Sequence, residues 1–361
     1  MVKKIIENTA RNQFIAYLKG GSVIPLYLHG DVIEILEKLP ANSIDCCMTS
    51  PPYWGQRQYA NGGIGLENSS YEFIENLLQV TSEIKRVLKN TGSFWLNIGD
   101  TYRNKSLSGI PWRIALAMID AQSWTLRNNV IWNKHKGGLD SSKDRLRNIH
   151  ENVFHFVLNS KDYYFDDEAI RSKPRKAIVK NGAVVSATGV TGVRYKRQLE
   201  LSTSLNNLEK KNALNALNEV LAKVQLGEVS DFRMIIRNQQ RTTHSNSKQV
   251  SGRAKELAEK GFYFLFYNPT GTLPTDVWEI IPEDTQKREK HFAPFPKDLC
   301  RIPILATCPQ EGIVLDPFCG TGTAMVVANE LGRKSVGIDI AYDYLEIAKK
   351  RLNGQQTLRI F

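Results

Sequence analysis

The sequence predicts a mixed α/β protein with a mostly parallel sheet and one long basic insertion. Three observations carry this. Short apolar runs alternate with helix-period segments over residues 1–160, the pattern that repeated strand–helix units impose on a chain. The same alternation returns after residue 310. Between the two lies a polar stretch rich in Lys and Arg, in which the periodicity fades.

Taken in order, residues 22–29 read as a strand, 32–39 as one or two helical turns, and 43–48 as a buried strand ending at Thr49. Over 71–89 the apolar residues Phe73, Leu77, Leu78, Ile84, Val87 and Leu88 recur near a helical period, and Gly92 follows the end. Residues 93–98 form the next strand. A helix over 111–121 opens on Pro111, where a missing N–H costs nothing. Residues 129–132 and 153–158 are further strands. From 172 to 250 only 205–224 keeps a helical period, and long insertions of this kind are usually functional or disordered. Beyond it, 312–316 is a strand, 323–331 a helix stopped by Gly332, 335–339 a strand, and 342–352 a helix stopped by Gly354. The expected organisation is therefore 1–170, 171–270 and 271–361.

At 361 residues, with 42% hydrophobic and 24% charged, the chain lies in the globular range and away from disordered or collagen-like compositions. Its charge is unusual. Residues 171–255 hold 17 Lys and Arg against five Asp and Glu, so one segment accounts for the whole net charge of +11. A polyanionic partner is the functional reading of such a segment, and a solvated lysine-rich surface is the plain one. The five cysteines (Cys46, Cys47, Cys300, Cys308, Cys319) form no CxxC pair and no metal-ligand spacing. Reduced thiols in a cytoplasm are expected. No signal-peptide core and no run of eighteen apolar residues occurs, so a membrane span is not expected.

Two motifs carry chemistry. Asp316-Pro317-Phe318-Cys319-Gly320-Thr321-Gly322-Thr323 lies between a strand and a helix. Glycines at such a turn let a ligand approach the backbone, and the helix N-terminus behind them favours an anionic group. Asp339 ends the next strand, where an acid can accept hydrogen bonds from ribose hydroxyls. A dinucleotide fingerprint wants a third glycine where Met325 stands, which disfavours nicotinamide chemistry. A purely structural glycine turn stays open. The second motif is Thr49-Ser50-Pro51-Pro52-Tyr53-Trp54. Two prolines stiffen the loop and hold the Pro51 carbonyl beside the Ser50 hydroxyl and the Tyr53 ring. Such a set could accept two hydrogen bonds from an exocyclic amine while a base stacks on the ring. A proline turn with a core tyrosine is the alternative.

SPPY after a strand, followed some 260 residues later by DPFCGTGT, resembles the amino-methylating DNA methyltransferases that use S-adenosylmethionine. In particular it resembles their circularly permuted β group of the N4-cytosine type. Supporting matches are Leu28-His29-Gly30-Asp31, His150-Glu151-Asn152-Val153-Phe154 and His291-Phe292-Ala293-Pro294-Phe295-Pro296. The resemblance covers most of the chain. It implies a Rossmann-like methyltransferase fold, permuted so that Asp31 and Asp339 lie side by side, with residues 171–270 as the target-recognition region.

The same resemblance implies roles. Ser50, Pro51, Pro52 and Tyr53 would form the catalytic loop. Asp31 would meet the adenine amino group and Asp339 the ribose. Asp316, Phe318, Gly320, Gly322 and Thr323 would hold the methionine end, with Phe295 and Pro296 closing that side. Asp31 could equally be a helix N-cap, which does not exclude the contact. Double-stranded DNA is the implied partner, with the target base flipped out of the stack. The candidate DNA contacts are Arg171, Arg175, Lys176, Arg194, Lys196, Arg197, Arg233, Arg237 and Arg241. No covalent intermediate is needed, unlike methylation at carbon 5, which uses a cysteine nucleophile. Four alternatives stay open: N6 of adenine as target, RNA or protein-glutamine methylation, a non-catalytic DNA-binding module, and a nicotinamide-dependent oxidoreductase. A separately acting restriction endonuclease, and a monomer or homodimer, complete the expectations.

Overall fold

The chain divides into two units, residues 1–170 with 275–361, and residues 171–274. The computed structural model describes residues 2–55, 63–135, 142–172, 176–239, 252–267, 270–282 and 295–358. The first unit opens with α1 (Val2–Lys19), β1 (Leu26–His29), α2 (Val32–Leu36), β2 (Ile44–Thr49), α3 (Ser70–Val87) and β3 (Leu88–Ile98). A small hairpin, β4 (Tyr102–Arg103) and β5 (Ser106–Leu107), leads to α4 (Ile110–Gln122), β6 (Thr125–Asn133) and β7 (His150–Val157). The second unit holds β8 (Ile178–Lys180), β9 (Ala183–Val185), α5 (Gly192–Glu200), α6 (Asn207–Gln225), β10 (Phe232–Ile236), α7 (Arg253–Lys260) and β11 (Phe262–Phe266). The chain then returns through β12 (Val277–Glu279), α8 (Lys297–Thr307), β13 (Ile313–Asp316), α9 (Thr323–Glu330), β14 (Lys334–Asp339) and α10 (Tyr342–Leu358).

Eight strands form one sheet in the order β1-β14-β13-β2-β3-β7-β6-β12. Every neighbouring pair is parallel except the two that involve β7, which runs against β3 and β6. Helices cover both faces, so the central strands read as continuous apolar runs rather than as alternations. All six residues of β2 are buried, as are all four of β13. One face packs Leu36, Phe73, Ile84, Phe94 and Phe156 beneath α2, α3 and α4. The other packs Met48, Trp95, Leu299, Ile304 and Val327 beneath α8 and α9. No described helix is long and apolar enough to cross a membrane.

Several boundaries differ from the sequence reading. β1 begins only at Leu26, after Pro25, and Ile24 is exposed. α3 gives way to β3 without a loop, because Leu88 adopts extended backbone directly after the last helical turn. Pro111 is the second residue of α4, whose left-handed N-cap is Gly109. α10 continues through Gly354 to Leu358, so that glycine does not stop the helix.

The largest correction concerns the described part of the basic stretch, residues 176–239, which is not structureless. Tyr195, Leu199, Leu217, Val220, Phe232, Met234 and Phe262 make a core of their own. β10 and β11 pair antiparallel, with Met234 opposite Phe264. α6 starts with a reciprocal cap in which the Asn206 side chain accepts from Glu209 N and the Glu209 carboxylate accepts from Asn206 N.

Candidate active site

β2 delivers the proline loop at the carboxyl end of the sheet, where parallel strands leave room for ligands. Thr49 is the last strand residue, and Ser50, Pro51, Pro52 and Tyr53 follow it. Tyr53 Oη donates to Glu151 Oε2 at 2.7 Å and accepts from Asn97 Nδ2 at 2.9 Å. Ser50 Oγ donates to Tyr53 Oη at 3.2 Å and accepts from Asn97 Nδ2 at 3.2 Å. Asn97 also donates to Glu151 Oε2 at 3.0 Å, and Lys134 pairs with the other oxygen of Glu151. Asn97 comes from β3, Lys134 directly follows β6, and Glu151 lies in β7. Burial first, and the Glu151 carboxylate second, push the Tyr53 phenol well above its ordinary range, so it stays protonated.

The tyrosine ring is held as well as its hydroxyl. A Cβ on Gly99 would come within 2.7 Å of Tyr53 Cε2, so only glycine lets the ring lie this close to the end of β3. The neighbouring Trp54 is buried, donates its indole N–H to the Glu67 carbonyl at 3.0 Å, and lies under the Arg103 guanidinium at 5.0 Å. It is a structural part of the loop.

The glycine motif sits on β13, the strand beside β2. Thr49 Oγ1 donates to Asp316 Oδ1 at 2.6 Å, joining the two motifs across 267 positions. Phe318 N donates to the same oxygen at 3.1 Å. Asp316 Oδ2 is buried with no hydrogen-bond partner. Burial is the main reason that Asp316 is raised to about 7, against the lowering from its two donors. Gly320 and Gly322 have φ of 49° and 75°, conformations that favour glycine. A Cβ on Gly322 would come within 3.0 Å of Tyr27 Oη and of Ala348 Cβ. Thr323 opens α9, but its hydroxyl accepts from Arg351 Nη1 at 3.3 Å, which makes it a fastening of α10. Phe318 and Phe295 are half-buried against the cores of opposite sheet faces.

Asp339 closes β14. It accepts from Gly320 N and Ala341 N, each at 2.8 Å, and burial raises it above the usual carboxylate range. β1 lies parallel to β14 with His29 in register with Asp339, and Gly30 N donates to the Asp339 carbonyl at 3.1 Å. Asp31 therefore follows the neighbouring strand end. It is the N-cap of α2, accepting from Ile33 N at 2.9 Å and Glu34 N at 3.2 Å.

Within the 171–274 unit, Lys176, Arg194, Arg197 and Arg233 are exposed and Lys196 is half-exposed. Arg194, Lys196 and Arg197 share α5, and the exposed Val193 and Leu201 flank them. Arg237 is held within the unit. Its guanidinium donates to Glu209 at 2.8 and 2.9 Å, to the Ser204 carbonyl at 2.7 Å and to the Ala258 carbonyl at 3.0 Å. Arg171 likewise donates to the Gly271 carbonyl at 3.0 Å. Arg175, Arg241 and residues 291–294 lie outside the described residues. The residues that sequence reasoning missed are Asn97, Lys134 and, as a functional group, Glu151. For Asn97 and Glu151 the signal was a polar side chain in an otherwise apolar, buried strand, whereas Lys134 follows the polar, partly exposed β6 and gave none.

Comparison with known proteins bears on this arrangement. Type II methyltransferase M.SfiI of Streptomyces fimbriatus is 30% identical over 90% of this chain and 90% of its own length. Type II methyltransferase M.Cfr9I of Citrobacter freundii is 29% identical over 91% of this chain and 87% of its own. The solved PvuII DNA methyltransferase (cytosine-N4-specific) aligns over 92% of this chain and 91% of that one, with a TM-score of 0.53 and 16% identity. At that identity it speaks for a shared fold. The N6_N4_Mtase family model, described as DNA methylase, matches residues 44–350, and by that match the chain belongs to the N6/N4 DNA methylase family.

Proposed function

We propose that the chain is a site-specific DNA methyltransferase that moves a methyl group from S-adenosylmethionine to N4 of a cytosine flipped out of duplex DNA. The observation that carries this is the hydrogen bond from Thr49 to Asp316, which sets the proline loop beside the glycine motif at one end of the sheet. A base amine and a methyl donor can meet only if their holders are neighbours.

The residues fit the cofactor. Asp316 Oδ2 is an orphaned buried acceptor suited to a cationic or N–H group. Gly320 and Gly322, both at positive φ, turn the chain sharply between β13 and α9, beside Asp316 and Asp339. Asp339 and Asp31 lie on adjacent strand ends, placed for a nucleoside's hydroxyls and amine. When bound, S-adenosylmethionine supplies an already activated methyl group. The protein must hold and orient a weak nucleophile. Ser50 Oγ and the Pro51 carbonyl accept from the two amine N–H groups, and Tyr53 stacks on the base. The terminal edge strand β1 beside β14 supports the circularly permuted reading. Residues 171–274 act as the target-recognition unit, with Lys176, Arg194, Lys196, Arg197 and Arg233 toward phosphates and base edges.

N6 of adenine is the second reading: the neutral Ser50 hydroxyl favours the smaller cytosine, but such a pocket does not bar a purine. The deciding experiment is mass spectrometry of nucleosides from DNA exposed to the chain and S-adenosylmethionine. N4-methylcytidine supports the proposal, N6-methyladenosine alone supports the second reading, and unmethylated DNA refutes both.

A further inference from the structure

An amine that gains a methyl group must lose a proton, and neither the Pro51 carbonyl nor the Tyr53 ring can carry one away. The inference that follows rests on the amine-methylating reading above. Three oxygens run from the loop into the sheet: Ser50 Oγ to Tyr53 Oη at 3.2 Å, and Tyr53 Oη to Glu151 Oε2 at 2.7 Å. Donor and acceptor chemistry orders the protons along this line. Asn97 Nδ2 can only donate, and it reaches all three oxygens. A carboxylate can only accept, so the Tyr53 proton points to Glu151 and the Ser50 proton points to Tyr53. Lys134 occupies the other carboxylate oxygen and leaves Oε2 to Tyr53 and Asn97.

Stability gives little reason for this cluster. A buried ion pair contributes less than apolar side chains of the same volume would, and a stacking ring needs no hydroxyl. Glu151 is buried at 8% exposure in a strand whose next six residues are all buried, five of them uncharged and the sixth His155. Burial, and then the nearby Arg127, lower His155 to about 3, so it is neutral.

We propose that Ser50, Tyr53 and Glu151 form a proton-exit relay for the target amine, with Glu151 as terminal acceptor and Asn97 and Lys134 as positioning residues. One amine N–H bond breaks and its electron pair stays on nitrogen, replacing the pair used in the new N–C bond. The amine proton passes to Ser50 Oγ, the serine proton to Tyr53 Oη, and the tyrosine proton to Glu151 Oε2. Charge and atoms balance without an oxidant or reductant, and one proton reaches solvent per turnover.

The test uses two near-isosteric variants of the full chain, checked for wild-type thermal melting. Tyr53→Phe keeps the stacking ring and removes the middle oxygen. Glu151→Gln keeps the volume and removes the acceptor. With enzyme in excess over duplex DNA and saturating S-adenosylmethionine, each should methylate about 100-fold more slowly than wild type. Affinities for DNA and cofactor should stay within about twofold. Glu151→Asp, which restores a carboxylate, should be faster than Glu151→Gln. A positional role alone predicts that Tyr53→Phe keeps its rate within about threefold, and that result overturns the relay. A readout independent of turnover is the ¹³Cζ resonance of Tyr53 in the free protein, assigned by its loss in Tyr53→Phe. It should move in Glu151→Gln, and an unmoved resonance also overturns the proposal. If wild type itself leaves DNA unmethylated, the function proposed above fails and the relay with it. If wild type methylates and both variants keep pace, the relay fails alone.

Discussion

The 1–170 and 275–361 unit keeps decisive polar groups inside, at the carboxyl ends of its strands, whereas the 171–274 unit has a mainly apolar interior and sets its cations outside. Asp316, Asn97 and Glu151 are all under 9% exposed. Lys176, Arg194, Arg197 and Arg233 are exposed around a core of Tyr195, Leu217, Phe232 and Met234. Under the proposed function, the difference follows from what each surface must do. A dipole or carboxylate acts more strongly on a developing charge when water is excluded. A cation that neutralises phosphate has to remain accessible, and its contribution fades with salt. Arg237 marks the border between these uses, since it is a cation of the basic segment enclosed by Glu209 and two carbonyls.

The largest break in this comparison should come from Tyr53→Ala. Removing ring and hydroxyl together should cost about 10²–10³-fold in turnover. Calorimetric affinity for S-adenosylmethionine should stay near wild type, and equal loss of both would move Tyr53 into the fold's core. Asp339→Ala should weaken cofactor binding by about 1–3 kcal/mol, the effect of losing a charged acceptor and freeing the loop amides it holds. Unchanged affinity would overturn the assignment of β14 to the cofactor. The smallest effect, on stability, comes from Asp316→Asn. Asp316 is raised to about 7 in the folded chain against about 4 unfolded. The folded state therefore binds more protons between those values, and stability falls as pH rises through that window. Melting at pH 8 should rise by about 5 °C in the variant, with the gap closing near pH 4, while cofactor affinity drops. A variant that melts lower at pH 8 would show that the carboxylate is compensated.

Much of the first unit was legible because its signals are local. β2, β13 and β14 are apolar runs bounded by proline or glycine, and the two motifs lie directly on their ends. The Asn97, Lys134 and Glu151 cluster was hidden because its members come from three different segments and meet only once the sheet forms. α8 was missed because Pro303 interrupts its pattern, yet the helix keeps Pro303 and the Pro303 carbonyl accepts from Thr307 Oγ1 at 2.7 Å. The second unit's core was masked by charge. The stretches Phe232–Ile236 and Phe262–Phe266 are separated by 25 residues and flanked by basic ones, and their pairing is a tertiary fact. Gly354 shows the opposite error, a stop signal overridden within α10.

The division between buried chemistry and exposed contact is tested most directly by the double variant Arg194→Glu, Arg197→Glu. DNA affinity as a function of salt and the single-turnover methylation rate at saturating DNA would be measured together. The account predicts affinity about 10–100-fold weaker, a salt dependence shallower by about two counterions, and a saturated rate within about twofold of wild type. A saturated rate that collapses while affinity and salt slope hold would contradict it.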